Sequence, residues 1–152
     1  MAQFRLSRTV PLSATESWQR LTDWPRHGER VPLTRVFVAV GSGRAVGDLV
    51  VARTRLGRVG FDDTMEVTVF QPPGPDRPGR CRLVKRGSLV RGWAELTVSM
   101  SGSVGSAEVG WREELRVAHL PRTADPLVAA AGRWVFGRAL DGLLGGTGSA
   151  DR

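Results

Sequence analysis

Residues 125–144, DPLVAAAGRWVFGRALDGLL, hold the longest helical signal in the chain, and what precedes them reads as a sheet built to wrap around a helix. At about 100° per residue, Val128, Gly132, Val135, Phe136, Ala139, Leu140 and Leu143 share one broad arc, with Trp134, Arg138 and Asp141 opposite. Asp125 suits the cap, Pro126 the first helical position, where a missing N–H costs nothing, and Gly145-Gly146 the stop. A rod of about 30 Å could cross a bilayer. Arg133, Arg138 and Asp141 would each be costly at the bilayer centre, so the arc is expected to face strands, and no transmembrane segment is expected.

Upstream, the apolar period is two. It places strands at residues 35–40, 46–55, 61–70, 80–86, 91–100 and 107–118. The breaks between them, Gly41-Ser42-Gly43, Leu56-Gly57-Arg58, the proline-rich 71–79 and Ser101-Gly102-Ser103, are too short for parallel crossovers, so the strands form an antiparallel meander. A further strand opens the chain, where Phe4, Leu6 and Val10 alternate with Arg5, Ser7 and Thr9. Ser13-Ala14-Thr15-Glu16 then reads as a capping box starting a short helix with Ala14, Trp18 and Leu21 on its apolar face. Asp23-Trp24-Pro25 ends that helix, and residues 26–32 read as a second turn or a loop. The fold class is α+β, with seven antiparallel strands curved around one long helix.

Length and composition narrow the function. With 152 residues the chain suits one domain over residues 1–144, followed by a tail at 145–152 expected to be flexible. The single Cys81 excludes an internal disulfide, and with His27 and His119 as the only histidines no metal site is expected. Gly145-Gly146-Thr147-Gly148 follows a helix instead of opening one, so no phosphate-binding loop and no cofactor is expected. Arg5 and Arg8 interrupt the apolar run a signal peptide needs, which points to the cytoplasm. The net charge is +7, yet the arginines are dispersed and alternate with apolar residues, so specific nucleic-acid binding is not expected.

The run VPLSATESWQRLTDWPRHGERVPLTRVFV, the Gly47-Asp48 pair, residues 53–57 followed by Phe61-Asp62-Asp63, and the late Gly110-Trp111-Arg112-Glu113-Glu114-Leu115 resemble, in order and spacing, the START-like helix-grip (SRPBCC) superfamily. That group includes polyketide cyclase/dehydrase-like and lipid-transport proteins. The resemblance spans residues 2–144 and implies an apolar cavity between sheet and helix for a lipid, polyketide or isoprenoid type of ligand. It does not decide between binding and catalysis.

Strand parity nominates the lining. Val67, Val69, Leu83, Leu96, Val98 and Trp111 should face inward with Val135 of the helix, while glycines at 132, 137 and 142 leave the helix side unfilled. Glu113 shares a face with Trp111 and Leu115, Asp63 with Phe61 and Met65, and Lys85 with Cys81 and Leu83. Charges on an inward face need a partner, a polar cavity or neutralisation. Glu113 is thus the first candidate acid or base, then Asp63 near its turn, then His27 in the loop after the first helix. Trp134 is placed to stack on Arg138. The leading function is binding or carrying of a small hydrophobic molecule by a monomer or homodimer. The alternatives are a polyketide cyclase/dehydratase-like enzyme using a cavity acid or base, and a protein- or RNA-associated module.

Overall fold

In the computed structural model, which describes residues 2–102 and 104–145, β1 (Ala2–Val10) leads into α1 (Ala14–Leu21) and α2 (Trp24–His27). A 3-10 turn (Gly28–Arg30) then passes the chain to β2 (Thr34–Val40), β3 (Leu49–Leu56), β4 (Val59–Gln71), β5 (Gly79–Lys85), β6 (Val90–Met100) and β7 (Ala107–Val117). After a second 3-10 turn (Arg122–Ala124) comes α3 (Asp125–Leu143). The seven strands form one antiparallel sheet in the order β1-β7-β6-β5-β4-β3-β2. β2 to β7 are a meander, and β1 closes onto the free edge of β7 from Ala2↔Leu115 to Val10↔Ala107. The expected α+β helix-grip architecture is therefore present. Of the tail expected at 145–152, residues 146–152 lie outside the described residues, as does Ser103.

Local details depart from the sequence reading in instructive ways. β3 starts at Leu49 instead of residue 46, because Asp48 is engaged in the preceding turn, where its Oδ2 accepts from the backbone N–H groups of Ser42, Gly43 and Ala45. These bonds, with the Ser42 hydroxyl, hold the Asp48 carboxyl below the usual range despite an opposing desolvation effect. Only half of the capping box forms: Ser13 Oγ accepts from Glu16 N, but the Glu16 carboxylate takes Arg20 at 2.9 Å. At α3 the 3-10 turn runs directly into the helix, so Ala124 occupies the cap and Asp125 stands inside.

The sheet and α3 enclose two unlike regions. At one end the space is solid, with Leu21, Val67, Cys81, Leu96, Val98, Leu140 and Leu143 almost fully buried and Trp18 set edge-on against Phe70 at 5.2 Å. The other end is less filled because β6 narrows. Its inward positions run Val98, Leu96, Ala94, Gly92, from large to small. α3 sits close on β1 because Gly132 has no side chain there: a Cβ would lie 2.6 Å from the Phe4 ring. Gly142 likewise faces Arg30, where a Cβ would lie 2.6 Å from the side chain, while Gly137 faces Arg8 at ordinary contact distance, and none of the three glycines lines the cavity described below. The helix presents Phe136, Ala139, Leu140 and Leu143 inward and leaves Val135 at the edge of its buried face.

Candidate functional site

The open end holds a cavity of about 220 Å³ between β2–β7 and α3, reaching from Trp111, Phe136 and Ala139 to Val50, Met65 and Leu83. Small side chains create it. Ala94 lies between Leu83 of β5 and Glu113 of β7, and Ala52 lies opposite Asp63, where larger residues would fill the lumen.

Three ionisable groups meet on its wall. Lys85 pairs with Met65 across β4–β5, so Asp63 is its diagonal neighbour two residues along β4. Lys85 Nζ donates to Asp63 Oδ2 at 2.5 Å and stands 3.2 Å from Glu113 Oε1. It reaches Glu113 across β6, where Gly92 faces Lys85 and Ala94 faces Glu113, leaving room for the side chain to pass. Glu113 Oε2 accepts from the Trp111 indole N–H at 3.0 Å. The side chains of Lys85 and Glu113 are 3% and 1% exposed, and that of Asp63 is 13% exposed. Burial pushes the Glu113 carboxyl above the usual glutamate range, and Lys85 and the Trp111 N–H only partly offset it. Burial also opposes the Lys85 charge, but the Glu113 and Asp63 carboxylates outweigh it and hold the ammonium above the usual lysine range. Lys85 is thus a firmly charged anchor rather than a nucleophilic amine.

His27 joins the wall from α2, with its ring 5.2 Å from Trp24 and 5.7 Å from Trp111. It is buried, not a loop histidine, because α2 continues through it and its Nε2 lies 2.6 Å from Leu21 O. A carbonyl only accepts, so Nε2 carries the proton and Nδ1 keeps the lone pair. Burial pulls the imidazole down to about 4, against the Leu21 carbonyl and the Asp23 charge. The sign follows: the unfolded chain binds this proton near pH 6.5 and the folded chain only near 4, so stability is lost as pH falls between those values. His27 should contribute a loss of about 2 kcal/mol between about pH 7.5 and about pH 5, read in chemical denaturation as the difference between the slopes of the wild type and His27→Gln. Glu113 acts with the opposite sign, since a raised carboxyl favours the folded state as pH falls.

Several residues nominated from strand parity are placed elsewhere. Val69 follows a register shift between Val67 and Val69 and pairs with Arg82, so the bulge turns it away and brings Phe70 inward against Trp18. Val67, Leu96 and Val98 face inward but lie in the packed end, and Val135 gives way to Phe136 and Ala139. Leu83, Trp111 and Glu113 do line the cavity. Asp63 is not at a turn: β4 begins at Val59, so Asp63 is well inside the strand. Lys85, inward by parity, is the residue that joins the candidate acids into one cluster. The signal that identifies it is an inward cation next to small inward residues on the following strand. Cys81 is buried with its thiol pushed up to about 12 by burial, which removes it as a nucleophile. His119 is exposed, and Arg138 stacks over Trp134 at 5.1 Å. Among the described residues no group of three His, Cys, Asp or Glu side chains is placed to hold a metal ion, and no helix is long and apolar enough to cross a membrane.

No protein-family model matches the chain, and no curated protein matches it. Solved structures do share its fold. A START superfamily protein from Mycobacterium smegmatis is 12% identical with a TM-score of 0.70, covering 95% of this chain and 97% of its own. The Zhui aromatase/cyclase from a Streptomyces species is 13% identical with a TM-score of 0.67, covering 94% and 91%. A point mutant of norcoclaurine synthase from Thalictrum flavum, solved with a transition state analogue, is 16% identical with a TM-score of 0.61, covering 93% and 92%. The chain has the helix-grip fold of the START-like type expected from its sequence. At these identities the likeness concerns the fold.

Proposed function

We propose that the protein binds a compact, mainly apolar molecule in the cavity between its sheet and α3. The observation that carries this reading is the cavity itself: a space of about 220 Å³ with a largely apolar wall and one polar corner formed by Asp63, Lys85 and Glu113. Ligand pockets commonly run from about 300 to 1,000 Å³. This one suits one or two rings better than a long lipid chain or an extended polyketide. Affinity would come from buried apolar area at about 25 cal/mol per Å², with the polar corner setting orientation.

The test uses a substitution that fills the space. Ala139 is buried on the helix side of the cavity, and Ala139→Leu places its added carbons against that lumen. Compact bicyclic aromatics are expected to raise the melting temperature of the wild-type protein and to lose that effect with Ala139→Leu. Equal shifts in both proteins would place binding elsewhere.

A second reading, acid–base catalysis of the cyclase/dehydratase kind, is favoured by the raised Glu113 carboxyl on the cavity wall. It requires that Glu113→Gln stop turnover while binding persists. The basic-surface alternative has less support. On the outer sheet face Arg80, Arg82 and Arg112 converge on the buried Glu95, and Arg82 and Arg112 flank Trp93 at 4.4 and 5.4 Å. These arginines are engaged within the sheet rather than spread as a free polyanion track.

A further inference from the structure

The polar groups on the cavity wall can be sorted by what each has left to offer. Lys85 spends its N–H donors on Asp63, Glu113 and the Met65 sulfur at 3.8 Å. The Trp111 and Trp24 indole N–H groups go to Glu113 and to Gly43 O, and the His27 Nε2–H goes to Leu21 O. Thr34 donates to Pro32 O, which leaves the Thr54 hydroxyl to donate to Thr34. Among the described residues every side-chain donor on the wall is committed. Acceptors remain: Asp63 Oδ1 is buried with no hydrogen-bond partner, and His27 Nδ1 takes no hydrogen bond among the described residues. The charge count agrees, because Asp63 and Glu113 outnumber Lys85, the single cation on the wall among the described residues.

We infer that the molecule held here carries a hydrogen-bond donor and no negative charge, so that amines and alcohols are selected over ketones and carboxylic acids of the same skeleton. This rests on the cavity being a binding site. A donor directed at the Asp63 carboxylate meets the acceptor that the fold leaves unmet, and leaving such a group unmet is costly. An acceptor-only ligand would bring a second unmet acceptor into the same space. A carboxylate would add an anion beside two acids sharing one cation, and like charges in a low-dielectric space repel strongly. Asp63 is the member of the trio suited to the contact, having the spare oxygen and the largest residual exposure.

Calorimetric titration with one skeleton, bare and with four head groups, reads the inference directly. The probes are naphthalene, naphthol, naphthylmethylamine, acetonaphthone and naphthoate. Naphthol and naphthylmethylamine are expected to bind about tenfold or more tighter than naphthalene, as a hydrogen bond to a charged group allows. Acetonaphthone should gain nothing over naphthalene, and naphthoate should bind weakest. Asp63→Asn should abolish most of the donor advantage, read as the ratio of naphthol to naphthalene affinity within that variant. Glu113→Gln, which balances the wall charge and keeps Asp63, should retain the donor advantage and relax the exclusion of naphthoate. Acetonaphthone or naphthoate binding as tightly as naphthol, or a ranking untouched in both variants, would overturn the inference while leaving the cavity a binding site. Failure of all five probes, naphthalene included, would overturn the binding reading and this inference with it.

Discussion

Lys85→Met is expected to cost about 3 to 5 kcal/mol of folding stability at neutral pH, because it strands Asp63 and Glu113 in a buried site without their cation. The methionine stem replaces most of the apolar packing, so the loss reports charge rather than volume. Two companion results identify the cause. The penalty should shrink as pH falls and Glu113, already reluctant to ionise, takes up a proton. Adding Asp63→Asn and Glu113→Gln to Lys85→Met should recover most of the stability, since a neutral cluster no longer needs the ammonium. A loss below about 1 kcal/mol in chemical denaturation would show that the carboxylates are not buried as described.

Leu140→Ala is expected to cost about 3 to 4 kcal/mol, the range for removing a fully enclosed leucine from a packed region. It sits at the solid end of the interior, with Leu21 and Leu143 in the same cluster, where neighbours have little freedom to close the gap. Val135→Ala on the same helix should cost less than about 1.5 kcal/mol, because Val135 lies at the edge of the buried face. Reversal of that order would mean that α3 presents a different face to the sheet.

The contrast between those two helix positions shows what the sequence could and could not disclose. A period of two across six segments, with short turns, was enough for the antiparallel meander, and one 3.6-period stretch was enough for the helix across it. Both signals average over many residues and survive local irregularity. The cavity does not arise from an average. It depends on a handful of small residues at one end of strands that are otherwise large, and parity alone favoured the larger Leu96 and Val98 over Ala94. The bulge in β4 that turns Val69 away leaves no mark on its neighbours in sequence. Glu113, Asp63 and Lys85 all stand out in the sequence as charges on inward faces, but their convergence does not. Bringing Lys85 to Glu113 requires the register of β5 on β6 and of β6 on β7, a long-range property of the sheet. The burial of His27 is hidden for a similar reason. Its burial comes from packing of α2 under Trp111, and Trp111 belongs to a strand some eighty residues later.

The methionines offer the most direct test of a ligand site inside the fold. Met65 lines the cavity, whereas Met100 is exposed at the far end of β6, so a protein labelled with carbon-13 at its methionine methyls carries a reporter and a control. Titration with naphthol is expected to move the Met65 methyl resonance in a saturable way, with the ring currents of the probe giving a large shift, and to leave Met100 unchanged. A Met65 resonance that stays fixed at saturating probe, or a shift confined to Met100, would contradict the account.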